Sequence, residues 1–286
     1  MVILSLTFVA LAGPADCIDE GAEVCLKLAR RYRDGDGKPE DWRRANELMT
    51  LACDAEEYSA EACSELGDWY LSVGGVRRDP NKAVDRYMRG CLGGAADACL
   101  NVGNQFILGD GVVRDAAGSA LWYEQGCSLG SAQACYRAGI GYHIGDGVPF
   151  DMGTASYYFE QACSSGAPAA CTRFGGMYRD GDGLDKDLEK AKELFQRGCA
   201  AGNGLGCVEL GRLYQTGKVG KKDVDRANQF YREACELDEF VGCREMAYAL
   251  RSTAPSQALT LFERGCKLGD GLSCKQSEKL SKKVSN

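Results

Sequence analysis

The segment Cys91–Phe106, CLGGAADACLNVGNQF, places two cysteines eight positions apart around a short linker of small residues. After the second cysteine, Val102, Gly103 and Phe106 follow at intervals of three, four and seven. These intervals lie on one stripe of an α-helix with 3.6 residues per turn. The segment therefore predicts an amphipathic helix that begins near the second cysteine, and the glycine in its stripe would let a neighbouring helix approach closely.

The same arrangement recurs along the chain. Of sixteen cysteines, fourteen form pairs eight positions apart, and the pair Cys53 and Cys63 has two extra residues between its members. From Cys63 to Cys243 the second member of each pair returns every 36 positions. A fixed period of this length is typical of a solenoid built from one supersecondary unit.

Each repeat holds two predicted helices. The helix after the second cysteine, which we name helix A, runs into a glycine turn such as DGDG at residue 34 or LGDG at residue 108, where glycine can end a helix in the left-handed conformation. Sixteen positions after the cysteine an acidic residue suited to cap a second helix, helix B, recurs six times. These residues are Asp41, Asp79, Asp115, Asp151, Asp187 and Asp223.

No stretch after residue 12 alternates apolar and polar residues over the length of a strand. We therefore predict an all-α protein, a right-handed α/α solenoid (superhelix) of about seven helix-pair repeats of 36 residues. Residues 13–286 would form this single solenoid. Its last helix, which contains Cys274, becomes polar and basic, as expected of a capping helix that faces solvent.

The cysteines are predicted to pair within each linker, giving one disulfide per repeat, because each pair brackets the turn between two adjacent antiparallel helices. Zinc binding is disfavoured, since the chain has no C-x-x-C motif and a single histidine. The predicted pairs are Cys17 with Cys25, Cys53 with Cys63, Cys91 with Cys99, Cys127 with Cys135, Cys163 with Cys171, Cys199 with Cys207, Cys235 with Cys243, and Cys266 with Cys274.

The net charge of the chain and its predicted cellular compartment restrict the functions that the sequence allows. A net charge of −7 argues against binding nucleic acid or an anionic membrane, both of which favour a basic surface. Residues 1–12, MVILSLTFVALA, resemble the apolar region and cleavage site of a secretory signal, although no basic residue precedes them. We predict a secreted or periplasmic protein with no membrane insertion of the mature chain, since disulfides persist in oxidising compartments.

The pattern C-x-x-L-G-x-x-Y, then G-x-G, then a helix capped by aspartate, then two cysteines eight apart, resembles the Sel1-like repeat family, and within it the secreted cysteine-rich Hcp-like proteins. The resemblance covers about residues 17–280. It implies an α/α solenoid with one disulfide per helix pair that acts as an adaptor or peptide-binding scaffold in secreted or periplasmic settings. Some members of the family are described as penicillin-binding or weakly β-lactamase-like.

Catalytic and metal motifs are missing from the sequence. It lacks the Ser-x-x-Lys, Ser-Asp-Asn and Lys-Thr-Gly motifs of serine β-lactamases, and no odd cysteine is left for Cys-His catalysis. His143 occupies a turn position shared with Arg33, Arg179 and Gln215, so we predict a solvated residue. The acidic loops at Asp34 and Asp180 lack the ligand order of a calcium loop. We predict no cofactor and no metal.

The binding surface is predicted on helix A, opposite the cysteine, at positions two, five, six and nine later. The resemblance implies that the A helices line the concave side of the solenoid. Amides and guanidinium groups there would hold a protein or extended peptide. The candidate binding residues are Trp69, Asn101, Asn104, Gln105, Arg137, Arg173 and Arg212. An ordinary solvated helix face, and for Trp69 packing between repeats, remain the alternatives.

The leading hypothesis is therefore a non-enzymatic secreted or periplasmic scaffold, acting as a monomer. One alternative is a penicillin-binding or weak β-lactamase-type enzyme of peptidoglycan metabolism. The other is an assembly factor of the mitochondrial intermembrane space, which would also combine helix pairs, disulfides and no catalytic motif.

Overall fold

The computed structural model describes residues 17, 19–37, 39–72 and 75–284. Over these residues the chain forms fifteen α-helices and no strands. In chain order they are α1 Ala22–Asp34, α2 Trp42–Asp54, α3 Ala60–Leu71, α4 Pro80–Leu92, α5 Ala96–Leu108, α6 Ala116–Ser128, α7 Ala132–Ile144, α8 Met152–Ser164, α9 Pro168–Asp180, α10 Leu188–Ala200, α11 Gly204–Thr216, α12 Val224–Glu236, α13 Phe240–Leu250, α14 Pro255–Lys267 and α15 Gly271–Val284.

Odd-numbered helices are the predicted A helices and even-numbered helices the predicted B helices. The turns after α1, α5, α7, α9 and α11 begin with a glycine in the left-handed conformation, as at Gly109 and Gly181. The exceptions are α3, which is followed by Ser72, and α13, which is followed by Arg251. Five of the six aspartates expected to cap B helices do so by accepting a backbone N–H, as Asp151 does from Gly153 and Thr154. Asp115 stands at the corresponding position, but its side chain accepts no capping hydrogen bond.

The helices group into two compact units, which are described separately. Unit 1 comprises residues up to Ala134 together with 146–148, and unit 2 comprises residues 135–145 and 149–286. The core of unit 1 contains Leu48, Leu66 and Tyr87, and that of unit 2 contains Phe195 and Tyr231, all nearly or fully buried. Such continuous burial between repeats is what stabilises stacked helix pairs that could not bury an apolar face alone.

A glycine four positions after the cysteine of an A helix lets an aromatic ring of the following B helix pack against its backbone. In unit 1 a Cβ at Gly67 would lie 2.5 Å from the ring of Tyr87. In unit 2 a Cβ at Gly211 would lie 2.5 Å from the ring of Tyr231. The predicted role of the small residue is therefore confirmed. The same contact joins Gly103 with Tyr123, Gly139 with Phe159, and Gly175 with Phe195.

Disulfides join B helices to the A helices that follow them, for example α2 to α3 and α8 to α9. Seven pairs of cysteines, from Cys17–Cys25 to Cys266–Cys274, are bonded within their linkers, with Cα atoms 4.5–4.9 Å apart. Cys127 and Cys135 are also disulfide-bonded, and no described cysteine is free. The predictions of an all-α fold, of helix-pair repeats and of disulfides at the repeat spacing are confirmed. Residues 1–12, the predicted secretory signal, lie outside the described residues.

Candidate functional site

The seven candidate binding residues divide by exposure. Arg137, Arg173 and Arg212 are exposed, while Asn101 and Asn104 are half-buried. Trp69 and Gln105 are each only 5 % exposed, so they do not line an accessible surface. Both lie six positions after a cysteine, and Met177 and Leu213, at the same position in later repeats, are buried as well. The accessible face of an A helix is therefore narrower than the sequence predicts.

Trp69 is a packing residue of unit 1. Its ring meets that of Trp42 on α2 edge to face, with centroids 5.5 Å apart, and the Arg33 guanidinium lies 5.8 Å from its centroid. In α3 the position six after the cysteine thus faces a neighbouring helix rather than solvent. Of the two interpretations that the sequence left open for Trp69, the structure supports packing between repeats.

The two asparagines of unit 1 already have partners. The Nδ2 atom of Asn101 donates to Asp68 Oδ1 at 3.3 Å, and Oδ1 of Asn104 accepts the Tyr123 hydroxyl at 2.9 Å. Desolvation raises the pKa of Asp68, against the opposing effect of a 2.6 Å hydrogen bond from the Tyr87 hydroxyl. These amides support the packing of B-helix tyrosines, so they are less available to a ligand than the sequence suggests.

Arginine–glutamate pairs link neighbouring A helices in unit 1. Glu65, two positions after its cysteine, accepts hydrogen bonds from Arg30 and Arg33 of α1, which stand five and eight positions after theirs. The Glu65 side chain is 16 % exposed, so its charge is partly shielded from water and depends on these two cations.

The same spacing of paired arginines and glutamate recurs in unit 2. Glu209 of α11, again two positions after its cysteine, pairs with Arg179 of α9 and with Arg212 of its own helix. Arg179 also binds Asp180 with two of its nitrogens. The hydrogen bond from Arg179 holds the pKa of the Asp180 carboxyl below its usual range. Arg212, a candidate binding residue, is therefore already held by Glu209.

The remaining two candidates, Arg137 of α7 and Arg173 of α9, are exposed, and the structure gives neither guanidinium a hydrogen bond or ion pair. Both stand two positions after the cysteine, where α3 and α11 carry glutamate. They are the unpaired cations among the seven candidates.

Arg173 lines a groove that runs across the A helices of unit 2, which we call the α9 groove. It has a volume of about 350 Å³ and is lined by His143 from α7, by Thr172, Arg173 and Gly176 from α9, and by Leu205 and Glu209 from α11. A Cβ at Gly176 would meet no atom within 4 Å, so the absence of a side chain there leaves this part of the groove open.

His143 differs from its prediction as a solvated turn residue. It lies in the last turn of α7, half-buried, with its ring edge-on to Phe159 at a centroid distance of 6.2 Å. Its Nδ1 atom is buried and has no hydrogen-bond partner. A buried polar atom without a partner is uncommon and calls for an explanation. In the sequence, the only sign of this site is a histidine in a register position that carries arginine in α1 and α9.

One cluster of possible metal ligands lies in the described part of the chain. The single cluster of possible metal ligands joins Glu233 to Cys199 and Cys207, which are bonded to each other and so offer no thiolate. None of the described helices combines the length and apolarity needed to cross a bilayer.

Comparison with solved structures shows what the chain resembles. A Sel1 repeat protein from Oxalobacter formigenes is 20% identical over 93% of this chain and 78% of its own, with a TM-score of 0.78. A protective antigen of uropathogenic Escherichia coli with an SLR fold is 22% identical over 96% of this chain and 68% of its own, with a TM-score of 0.57. At these identities the likeness concerns the fold.

Helicobacter pylori cysteine rich protein B matches 48% of this chain and 98% of its own at 24% identity, with a TM-score of 0.38. No curated protein matches the chain in sequence. The profile of the Sel1 repeat family matches seven times, over residues 22–56, 60–85, 96–131, 132–166, 168–203, 204–239 and 252–270. Because these matches cover well over half of the chain, and five of them each span a whole observed helix pair, the chain belongs to the Sel1 repeat family.

Proposed function

We propose that this protein is a non-enzymatic scaffold of an oxidising compartment outside the cytoplasm, and that it binds a protein or extended peptide partner through the exposed side of its A helices. The observation that carries this proposal is the α9 groove. It is open, it lies on three successive A helices, and it contains the unpaired guanidinium of Arg173.

The α9 groove suits an extended peptide in both shape and chemistry. Leu205, which is 45 % exposed, offers an apolar contact next to the polar groups of Thr172 and Arg173. Peptide-binding sites combine apolar contacts with a few polar groups that fix orientation. Arg137 extends the basic character along α7.

The compartment follows from the cysteines. All of the described cysteines are in disulfides, which thiol reductants of the cytosol would tend to open. This supports a secreted or periplasmic location, to which the predicted signal at residues 1–12 would direct the chain. The enzyme and the mitochondrial alternatives gain no observation from the structure, and we do not propose them.

Affinity capture with matched variants tests the proposal. The bait would be the full chain, and the A-face variant would carry Asn101→Ala, Arg137→Ala and Arg173→Ala. Asn104 is kept, because its amide oxygen accepts the hydroxyl of the buried Tyr123 and its loss would destabilise the core. We expect a partner that is captured from culture medium or periplasm by the wild type to be lost with the A-face variant.

The control variant removes polar side chains from B helices in the same number. It carries Gln161→Ala, Gln196→Ala and Arg232→Ala, all at exposed positions. It should capture the partner as the wild type does, and both variants should keep the wild-type circular dichroism. Equal capture by the wild type and the A-face variant would show that the A helices do not form the binding surface.

A further inference from the structure

The ion pairs between A helices follow one rule in two places. A carboxylate two positions after the cysteine is held by arginines, one of which stands eight positions after the cysteine of the preceding A helix. In unit 1 this carboxylate is Glu65, bound by Arg33, and in unit 2 it is Glu209, bound by Arg179. In both places a second arginine, Arg30 or Arg212, also contacts the carboxylate.

The rule is broken between α7 and α9. The position that carries Arg33 and Arg179 elsewhere holds His143, and the position that carries the glutamate holds Arg173. Both of these positions therefore carry a residue that can donate hydrogen bonds, and neither carries a carboxylate. Both side chains line the α9 groove.

Each of the two groups has unused hydrogen-bonding capacity. The Nδ1 atom of His143 is buried without a partner, and the five N–H donors of the Arg173 guanidinium make no hydrogen bond or ion pair in the structure. Leaving a buried polar atom unsatisfied is costly, so such an atom calls for an explanation, and a bound ligand is one.

Space for a ligand is present beside these groups. Gly176 stands five positions after its cysteine, where sister A helices carry Asp68, Asn104 and Arg212. Without a side chain at this position, the groove remains open next to Arg173.

The acidic residues of the groove are mostly neutralised. Asp180 is paired with Arg179, and Glu209 with Arg179 and Arg212. The remaining acid, Asp182, is exposed in the turn after α9 and has no ion pair in the structure, so it opposes the binding of an anion. The chemistry of the groove beside Arg173 is thus that of an anion site with one repulsive group at its rim.

We propose that the α9 groove binds a carboxylate of the partner between Arg173 and His143, in the place that Glu65 occupies in α3 and Glu209 in α11. Planar guanidinium groups bind carboxylates with paired, charge-assisted hydrogen bonds, and a histidine N–H can donate to the same group. The carboxylate comes either from the end of a chain or from an aspartate or glutamate side chain. This inference rests on the proposed function, because it names the chemistry by which the same face recognises its partner.

The single histidine of the chain gives a direct test. The full chain, expressed without a histidine tag and labelled with ¹⁵N-histidine, shows only the imidazole signals of His143. It would be titrated with N-acetylglycine, which carries the carboxylate of a chain end, and with Nα-acetylglutamic acid α-amide, which carries that of a side chain. We expect a saturable shift with at least one of them, in the millimolar range expected of a small ligand. N-Acetylglycinamide, which lacks a carboxylate, should give no saturable shift.

Variants assign the shift to the groove. Arg173→Gln should weaken binding at least about tenfold, which is the effect of losing a charge-assisted hydrogen bond. Arg173→Glu should abolish binding, because it supplies the carboxylate within the chain. Arg232→Gln, which removes the same charge from an exposed position on a B helix, should leave binding unchanged. Asp182→Asn should tighten binding by about twofold, as expected when a single exposed charge is removed.

The proposal is overturned if neither carboxylate gives a saturable shift, if the neutral amide shifts the signals equally, or if Arg173→Gln binds as the wild type does. These results are separate from a failure of the proposed function. A partner captured equally well by the wild type and by Arg173→Gln, but lost with the A-face variant, would remove the carboxylate site and leave the scaffold function standing.

Discussion

The contact between glycine and an aromatic ring makes a strong prediction about stability. Gly211 of α11 lies against the ring of Tyr231, and an added Cβ would stand 2.5 Å from Cε1 and 2.8 Å from Cδ1 of that ring. Ordinary contacts of a Cβ begin near 3.4 Å, so the ring must retreat by about 1 Å. Tyr231 is 1 % exposed and its hydroxyl donates to Gln215 Oε1 at 3.0 Å, which leaves it little freedom to move.

The magnitude for Gly211→Ala follows from three contributions. Overpacking costs about 1–3 kcal/mol, and a strained or lost hydrogen bond adds about 0.5–1.5 kcal/mol. Alanine in place of glycine within a helix returns about 1 kcal/mol. We expect a net loss of about 0.5–3.5 kcal/mol in the free energy of unfolding.

Gly176→Ala is the matched control, since it makes the same chemical change inside a neighbouring A helix. Its new Cβ would meet nothing within 4 Å, so only the gain in helix propensity remains, and we expect stability to rise by about 0.5–1 kcal/mol. Urea denaturation followed by far-ultraviolet circular dichroism measures both changes, with the slope of the transition as a check that the unfolding mechanism is unchanged. If Gly211→Ala proves as stable as the wild type, or if both variants shift in the same direction, the packing argument is wrong.

Three further outcomes are expected. Replacing Cys163 and Cys171 together by alanine should lower the free energy of unfolding by about 2–3 kcal/mol in the same denaturation assay, because the disulfide closes a short loop in the unfolded chain. An unchanged midpoint would show that this disulfide does not stabilise the fold. Burial, helped by Glu245, raises the pKa of Tyr231 to about 12 from 10.0, so the stability due to its neutral hydroxyl is complete below pH 10 and is lost as the pH rises toward 12. Tyr231→Phe should flatten that decline relative to the wild type, and an unaltered pH profile would contradict the assignment. Glu65→Gln should lower the free energy of unfolding by about 1 kcal/mol, because Glu65 is held between two arginines. The side chain of Glu61 is 65 % exposed, so Glu61→Gln should change stability by less than about 0.5 kcal/mol. Equal effects of the two variants would refute the role given to Glu65.

Much of the fold is predictable from the sequence because the same pattern of residues recurs in each repeat. The distance between paired cysteines sets the linker, the glycine four positions later sets the approach of helix B, and the aspartate at sixteen begins that helix. Asp115 shows the limit of such reasoning, since it stands at the cap position with an extended backbone and yet its side chain accepts no capping hydrogen bond.

The accessible face was harder to predict. A helical wheel shows one buried side of an A helix. In the stack of repeats, however, the A helix contacts its own B helix and also helices of adjoining repeats. The row containing Trp69 and Gln105 is buried for this reason, although it lies away from the cysteine.

The α9 groove could be seen from the sequence only in part. Arg173 was a candidate from its position, but the importance of His143 depends on two facts that spacing does not reveal. The first fact is that in the next repeat a glutamate at the position of Arg173 pairs with an arginine at the position of His143. The second is that Gly176 leaves space beside Arg173. Both facts require the contacts between repeats.

Hydroxyl-radical footprinting of the complex with its captured partner tests most directly whether this scaffold holds that partner on its A helices. In unit 2, His143 and Leu205 line the α9 groove, while Tyr157 of the B helix α8 is 55 % exposed and serves as the internal reference. We expect the partner to reduce oxidation of His143 and Leu205 and to leave that of Tyr157 unchanged. Protection of Tyr157 with unchanged oxidation of the two groove residues would contradict the account.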